Sequence, residues 1–303
     1  MYDTIKMYKL SLESINERYL TELRDEYNYS TGELVRKGKL DNLFINKHKW
    51  GVQIKGSICK YYYGNNLQTL TKNDTKFAFE KLNDHLHFNT GNSKITRLDF
   101  AENFIMEKPI VNYLNLFSEL QRFQMMRFSN NVYYNTSDKK IAVYDKIKEV
   151  KGKKGDIPSK IFLPSDNVLR YEIRLLRRIK KVFGKEIFQK DLTNEVVFNN
   201  LLNLWKDLYF KISKKPIIKI DDMTFSNTKQ FFNYLIYLTC EEKGEENILK
   251  LINTNKENFT NKVAYSRCKS AVRQKLKNKN FCKDNELINE LNEKVLETVL
   301  KYK

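Results

Sequence analysis

Cysteine is scarce in this chain, and the four present, Cys59, Cys240, Cys268 and Cys282, form no CxxC pair. That spacing excludes the usual zinc ligand sets. The cysteines read instead as small reduced hydrophobes of an intracellular protein. Four prolines and ten glycines in 303 residues exclude a linker-rich or fibrous chain. No apolar run approaches the roughly 20 residues that a membrane helix needs. Met1–Leu10 is too polar and mixed for a secretory signal. The expectation is a cytoplasmic protein with no membrane partner.

Acid is the other shortage. The chain has 37 Asp and Glu against 55 Lys and Arg, a formal net charge of +18. A surplus of that size points to a polyanion, because Lys and Arg gain free energy on phosphate by releasing counterions. Hydrophobic residues make up 41% of the chain, which excludes disorder by composition and allows a sizeable core. The partner class implied is nucleic acid.

Three regions differ in pattern. Residues 1–48 are charged and mixed, and read as an N-terminal accessory segment that can add strands to a core. From Trp50, Val52, Ile54 and Ile58 alternate with polar residues, which predicts a strand ended by Gly64-Asn65-Asn66. Asp74 is placed to cap a helix carrying Phe79, Leu82 and Leu86. A strand is predicted over 94–101, then a helix with Pro109 in its first turn and Ile110, Leu114, Phe117 and Leu120 inward. A hairpin follows, with arms at 131–134 and 140–146. Residues 150–166 read as a basic loop, 168–175 as a last strand and 177–181 as a basic segment. Helices are expected near 185–212, 228–242, 245–254, 261–277 and 284–301, and residues 214–222 as a short strand or connector. The fold class expected is α+β: an antiparallel-sheet domain over 49–184 with helices on one face, then a mostly helical C-terminal domain over 185–303.

Strand parity selects candidate functional residues. With Leu98 and Phe100 inward, Arg97 and Asp99 face out. With Ile141 and Val143 inward, Tyr144 and Lys146 face out. With Leu169, Tyr171 and Ile173 inward, Arg170, Glu172 and Arg174 face out. An ordinary solvated sheet face gives the same parity, so the functional reading depends on these three strands being neighbours. If they are, Asp99 and Glu172 could hold Mg²⁺ or Mn²⁺ on oxygen ligands. Tyr144 could then attack a phosphodiester, its phenolate favoured by the metal, Lys146 and Lys148. The product would be a 5′-phosphotyrosine and a free 3′-OH. Tyr61, Tyr62 and Tyr63 with Lys60 could stack on unpaired bases, with core packing expected for at least one of the tyrosines. Lys262, Lys269, Arg273 and Lys277 form a basic stripe on one face of the helix near 261–277, with Arg267 beside it and Ala264, Cys268, Ala271 and Val272 inward. That stripe is either a duplex-DNA contact or a solvated face.

Four stretches carry a family resemblance: VQIKGSICKYYYGNN (52–66), ITRLDFAENF (95–104), NVYYNTSDKKIAVYDKIKE (131–149) and VLRYEIRLLRRIKKVFG (168–184). In this order and spacing the chain resembles the gene-two replication proteins of filamentous phages and related rolling-circle initiators. The resemblance implies a metal-dependent nicking endonuclease with Tyr144 as nucleophile, Lys146 beside it, and Asp99 and Glu172 as its acids. It also implies origin DNA as partner, single-stranded or supercoiled duplex, a host helicase and polymerase as further partners, and a host-cell cytoplasmic location. Some relatives carry a histidine where this chain has Asn65. Tyr133 and Tyr134 are rival nucleophiles. Lys148 completes a Tyr-x-x-x-Lys spacing. His85-Leu86-His87 matches the two-histidine metal motif of other nicking enzymes, but falls at a predicted helix end. A conjugative relaxase with the same chemistry and a non-catalytic DNA-binding protein are the alternatives.

Overall fold

Five strands precede residue 58: β1 (Tyr2–Leu10), β2 (Thr21–Asn28), β3 (Glu33–Leu40), β4 (Leu43–His48) and β5 (Gly51–Ser57). The computed structural model describes residues 1–152, 166–215, 217–218, 225–277, 282–283 and 285–302. The strand predicted through Tyr63 stops at Ser57. Its hydroxyl accepts from the Lys60 amide and starts α1 (Ile58–Tyr63), which Gly64 closes at φ 77 in the left-handed region. In α2 (Lys72–Leu86) the cap is Thr71, and Asp74 is the third residue of a reciprocal capping box. Phe79, Leu82 and Leu86 are buried on α2 as expected.

The chain continues through β6 (Lys94–Ile105), α3 (Ile110–Leu116), β7 (Gln124–Phe128), β8 (Asn131–Asn135), β9 (Lys139–Asp145), α4 (Lys146–Gly152), β10 (Val168–Leu175), α5 (Ile179–Phe183) and α6 (Glu195–Lys211). Pro109 precedes α3 as its cap rather than sitting in its first turn. Lys146 opens a helix instead of ending a strand. The basic loop expected at 150–166 lies outside the described residues from 153 to 165.

All ten strands join one antiparallel sheet in the order β2-β3-β4-β5-β1-β6-β10-β9-β8-β7. The accessory segment thus supplies β1, which sits against β6 near the middle. One sheet face is apolar. Phe100, Tyr171, Ile173, Val143 and Tyr134 are buried there. Helix α6 covers that face: Trp205 packs on Phe104 and Tyr171, and Tyr171 donates to the Trp205 carbonyl at 3.0 Å. Each such aromatic pair is worth about 0.5–1.5 kcal/mol beyond its buried area.

The chain divides into two compact units, Met1–Ser213 with Glu290–Lys303, and Lys214–Asn289. Residues 185–213, read from sequence as part of the helical domain, belong to the sheet unit because the buried face of α6 completes its core. The second unit contains α7 (Thr228–Lys243), α8 (Glu245–Thr254) and α9 (Lys262–Lys277), packed around Cys240, Ile252 and Val272. A short ladder pairs β11 (Ile217–Ile218) with β12 (Cys282–Lys283). Helix α10 (Glu286–Tyr302) ends the chain and returns to the sheet unit, where Tyr302 meets Phe198. The fold is α+β, with its C-terminal region mostly helical. No helix among the described residues is long and apolar enough to cross a membrane.

Candidate active site

The register of β6, β10 and β9 decides which polar side chains meet. Arg170 stands opposite Tyr144 on one side and Asn103 on the other. Glu172 stands opposite Ala142 and Ala101, and Arg174 opposite Lys140 and Asp99. The two-residue period therefore brings Tyr144, Arg170, Glu172, Arg174, Asp99 and Arg97 onto one face, away from α6. The adjacency on which the parity reading depends is present.

Tyr144 is 8% exposed, and its hydroxyl donates to Glu172 Oε2 at 3.2 Å. Burial raises its pKa well above the ordinary 10.0, with Arg170 pulling the other way and Glu172 adding to the rise. At neutral pH the group is a phenol waiting on a carboxylate. Tyr134 faces the apolar side and donates to the Ser118 carbonyl at 2.5 Å, so it is removed from this face. Tyr133 is opposite Ala142 and shares the face of Tyr144.

Guanidinium groups enclose both acids. Arg97 forks onto Asp99 at 2.9 and 2.6 Å. Arg174 contacts Glu172 at 2.9 and 3.3 Å, and Arg170 Nε lies 3.5 Å from it. Burial pushes the Asp99 carboxyl up to about 7; the Arg97 fork opposes this and the Glu172 charge adds to it. Asp99 and Glu172 do not fit Mg²⁺ or Mn²⁺ in this arrangement. Their oxygens are engaged by arginine, and at 1% and 2% exposure they leave no room for the waters a hard cation keeps. Among the described residues no three His, Cys, Asp or Glu side chains converge as a metal group.

Four residues at the site carried no role in the sequence reading. Asp3 accepts from Arg170 at 2.5 Å and from Ser57. Asn66 accepts from Lys146 Nζ at 2.9 Å, and its carbonyl accepts from Arg170 at 3.3 Å. Glu149 accepts from Lys146 at 2.7 Å, and Asn103 accepts from Arg170 at 3.1 Å. The turn at Gly64-Asn65-Asn66 was visible in sequence, but only tertiary structure brings it to Arg170 on β10 and Lys146 on α4. Lys146 is fully buried, 6.0 Å from the centre of the Tyr144 ring. Burial, then Arg170, brings its pKa down to about 8 against the pull of Glu149.

Other sequence candidates fall elsewhere. Lys60 and Tyr62 line a cleft of about 510 Å³ that also takes in Asn66 and Glu149. Lys148 points outward, 3.1 Å from Asn130 Oδ1 and 3.8 Å from Asp145. His87 closes α2 in the left-handed region, and His85 stacks on Tyr19 and bonds Tyr61, so the two histidines diverge. Arg267 and Arg273 are exposed on α9 in the second unit. On that helix Val272 is buried, whereas the side chain of Lys277 is outside the described residues.

A comparison with curated proteins gave no match. Residues 11–196, more than half of the chain, match the family model for the N-terminal part of the phage gene-two replication-associated protein. The match takes in β6, β9 and β10, the three strands that assemble the face around Tyr144. The chain belongs to that family of filamentous-phage replication initiators.

Proposed function

We propose that the protein initiates rolling-circle replication by nicking one strand of its origin and staying joined to the 5′ end through Tyr144. The observation that carries this reading is the Tyr144 hydroxyl held on Glu172 within a ring of arginines, in a replication-initiator chain. In the step, the Tyr144 Oη–P bond forms and the P–O3′ bond breaks. The phenolic proton passes to Glu172, and the departing 3′ oxygen takes one from solvent. The reverse step seals the strand. Arg97 and Arg174, each about a quarter exposed, are reachable by phosphate oxygens and suited to bidentate contact. Arg170 is buried, and its role is to position Tyr144, Glu172 and Asn66. Lys146 supplies a cation close to the ring. Lys60, Tyr62, Arg267 and Arg273 are further DNA contacts under this proposal.

The test incubates the full chain with supercoiled plasmid carrying its own origin, in Mg²⁺ or Mn²⁺, beside Tyr144→Phe and Tyr133→Phe. We assign no protein ligand set to the ion. The proposal requires nicked DNA with protein on its 5′ end from the wild type and Tyr133→Phe, and none from Tyr144→Phe. Tight origin binding with no cut from any of the three proteins would leave a non-catalytic DNA-binding protein.

A further inference from the structure

The open sheet face does not stop at Asp99. Beyond Arg97 it runs into a second cleft, of about 500 Å³, between β1, β5 and β6 and the turn joining β10 to α5. Lys6, Lys55, Lys94, Arg97, Arg177 and Lys180 line it together with Arg178. Glu186 is the one acid among the lining residues, and Lys94 takes it at 3.0 Å. Arg97 is paired with Asp99, and Arg178 reaches Asp138 at 3.7 Å. Lys6, Lys55, Arg177 and Lys180 form no ion pair among the described residues. Four such cations around one hollow repel one another, a cost relieved when an anion occupies it.

The sheet register gives the cleft a fixed relation to Tyr144. Lys6 pairs with both Lys55 and Arg97 in the ladder. Arg97 is six residues before Asn103, which lies in the same row as Arg170 and Tyr144. At roughly 3.3 Å per residue the cleft therefore begins about 20 Å from the tyrosine, along the strands. Arg174 and Lys140 stand in one of the two rows between, on the same face. The two acids on that path, Asp99 and Glu172, are each paired with an arginine. A volume near 500 Å³ belongs to the size class of small-ligand pockets, enough for about one or two nucleotides.

We propose that this cleft grips the sugar-phosphate backbone of the unpaired strand on one side of the nick, several nucleotides from the phosphate that is cut. The ligand is single-stranded DNA held by charge rather than by base identity. The proposal rests on the functional reading only in taking Tyr144 as the cutting point.

The test measures binding of fluorescent single-stranded origin oligonucleotides across a salt series, with the full chain and the exposed triple variant Lys55→Ala/Arg177→Ala/Lys180→Ala. Each phosphate neutralised contributes about 0.7 to the log–log salt slope for single strands, so losing three contacts flattens it by about 2. Lengthening the oligonucleotide on one flank of the nick raises wild-type affinity, and the triple variant loses that gain. A control triple on other elements, Lys76→Ala/Lys108→Ala/Lys211→Ala, keeps both slope and gain. An unchanged slope in the cleft variant, or an equal loss in the control, overturns the proposal. A flattened slope in a protein that never forms an adduct keeps the cleft and removes the nicking reading; normal nicking with an unchanged slope removes the cleft alone.

Discussion

Lys146 is a buried amine whose charge depends on pH within the working range. Its ammonium is lost progressively as pH rises through about 8. If that charge helps hold the phosphate near Tyr144, single-turnover nicking falls as pH rises through about 8, and a pH–rate profile shows it. The linkage to stability has the opposite sense. The folded value lies below the ordinary 10.5, so the unfolded chain alone keeps the proton between about 8 and 10.5, and this group's contribution to stability rises across that window. Asp3 gives a second prediction. Its loss in Asp3→Ala strips a carboxylate from Arg170, a guanidinium only 2% exposed. Breaking one side of a buried pair costs about 3–5 kcal/mol, readable as a lower urea midpoint. Lys148→Ala, at a side chain 57% exposed, should stay within about 0.5 kcal/mol of wild type. Parity selected Arg97, Asp99, Tyr144, Arg170, Glu172 and Arg174, but that β6, β10 and β9 are neighbours came only from the fold. Asp3 was illegible because it meets Arg170, 167 residues away, from a strand that pairs with the distant β5 and β6.

Local signals decided most element boundaries, and those acting against a periodic pattern were the hard ones. Val52 and Ile54 mark a strand, but the Ser57 cap turns the chain into α1 although three tyrosines with high strand propensity follow. The start of α2 depends on Thr71 and Asp74 capping each other, so Thr71→Ala should cost about 1 kcal/mol by denaturant unfolding. Strand β10 was fully legible, since Leu169, Tyr171 and Ile173 alternate cleanly with charged partners. Strands β2 and β3 were not. They form the outer edge of the sheet, where Lys37–Glu26 and Lys39–Glu22 ion pairs face solvent and blur the alternation.

At the scale of the whole molecule the sheet unit is discontinuous in sequence. Its core is closed by the last turns of the chain, where Val295 and Val299 are buried and the Glu290 carboxylate accepts from the Tyr113 hydroxyl. A chain ending at residue 213 should therefore lose about 3 kcal/mol or more, from the two valines alone, with a lower thermal midpoint as the measure. No sequence periodicity announces that a terminal helix returns to a distant core. The net charge of +18 acts at this scale too. It suits an origin-binding protein of this family, and under the proposed function the face around Tyr144 acts on the DNA so attracted.

The most direct test of that function is to identify the residue that carries the DNA. Trypsin separates the candidates, because Tyr144 lies in Ile141–Lys146 whereas Tyr133 and Tyr134 lie in Phe128–Lys139. After nicking and nuclease trimming, mass spectrometry should find the nucleotide on Ile141–Lys146. A nucleotide on Phe128–Lys139, or on neither peptide, would contradict the assignment of Tyr144 as the nucleophile.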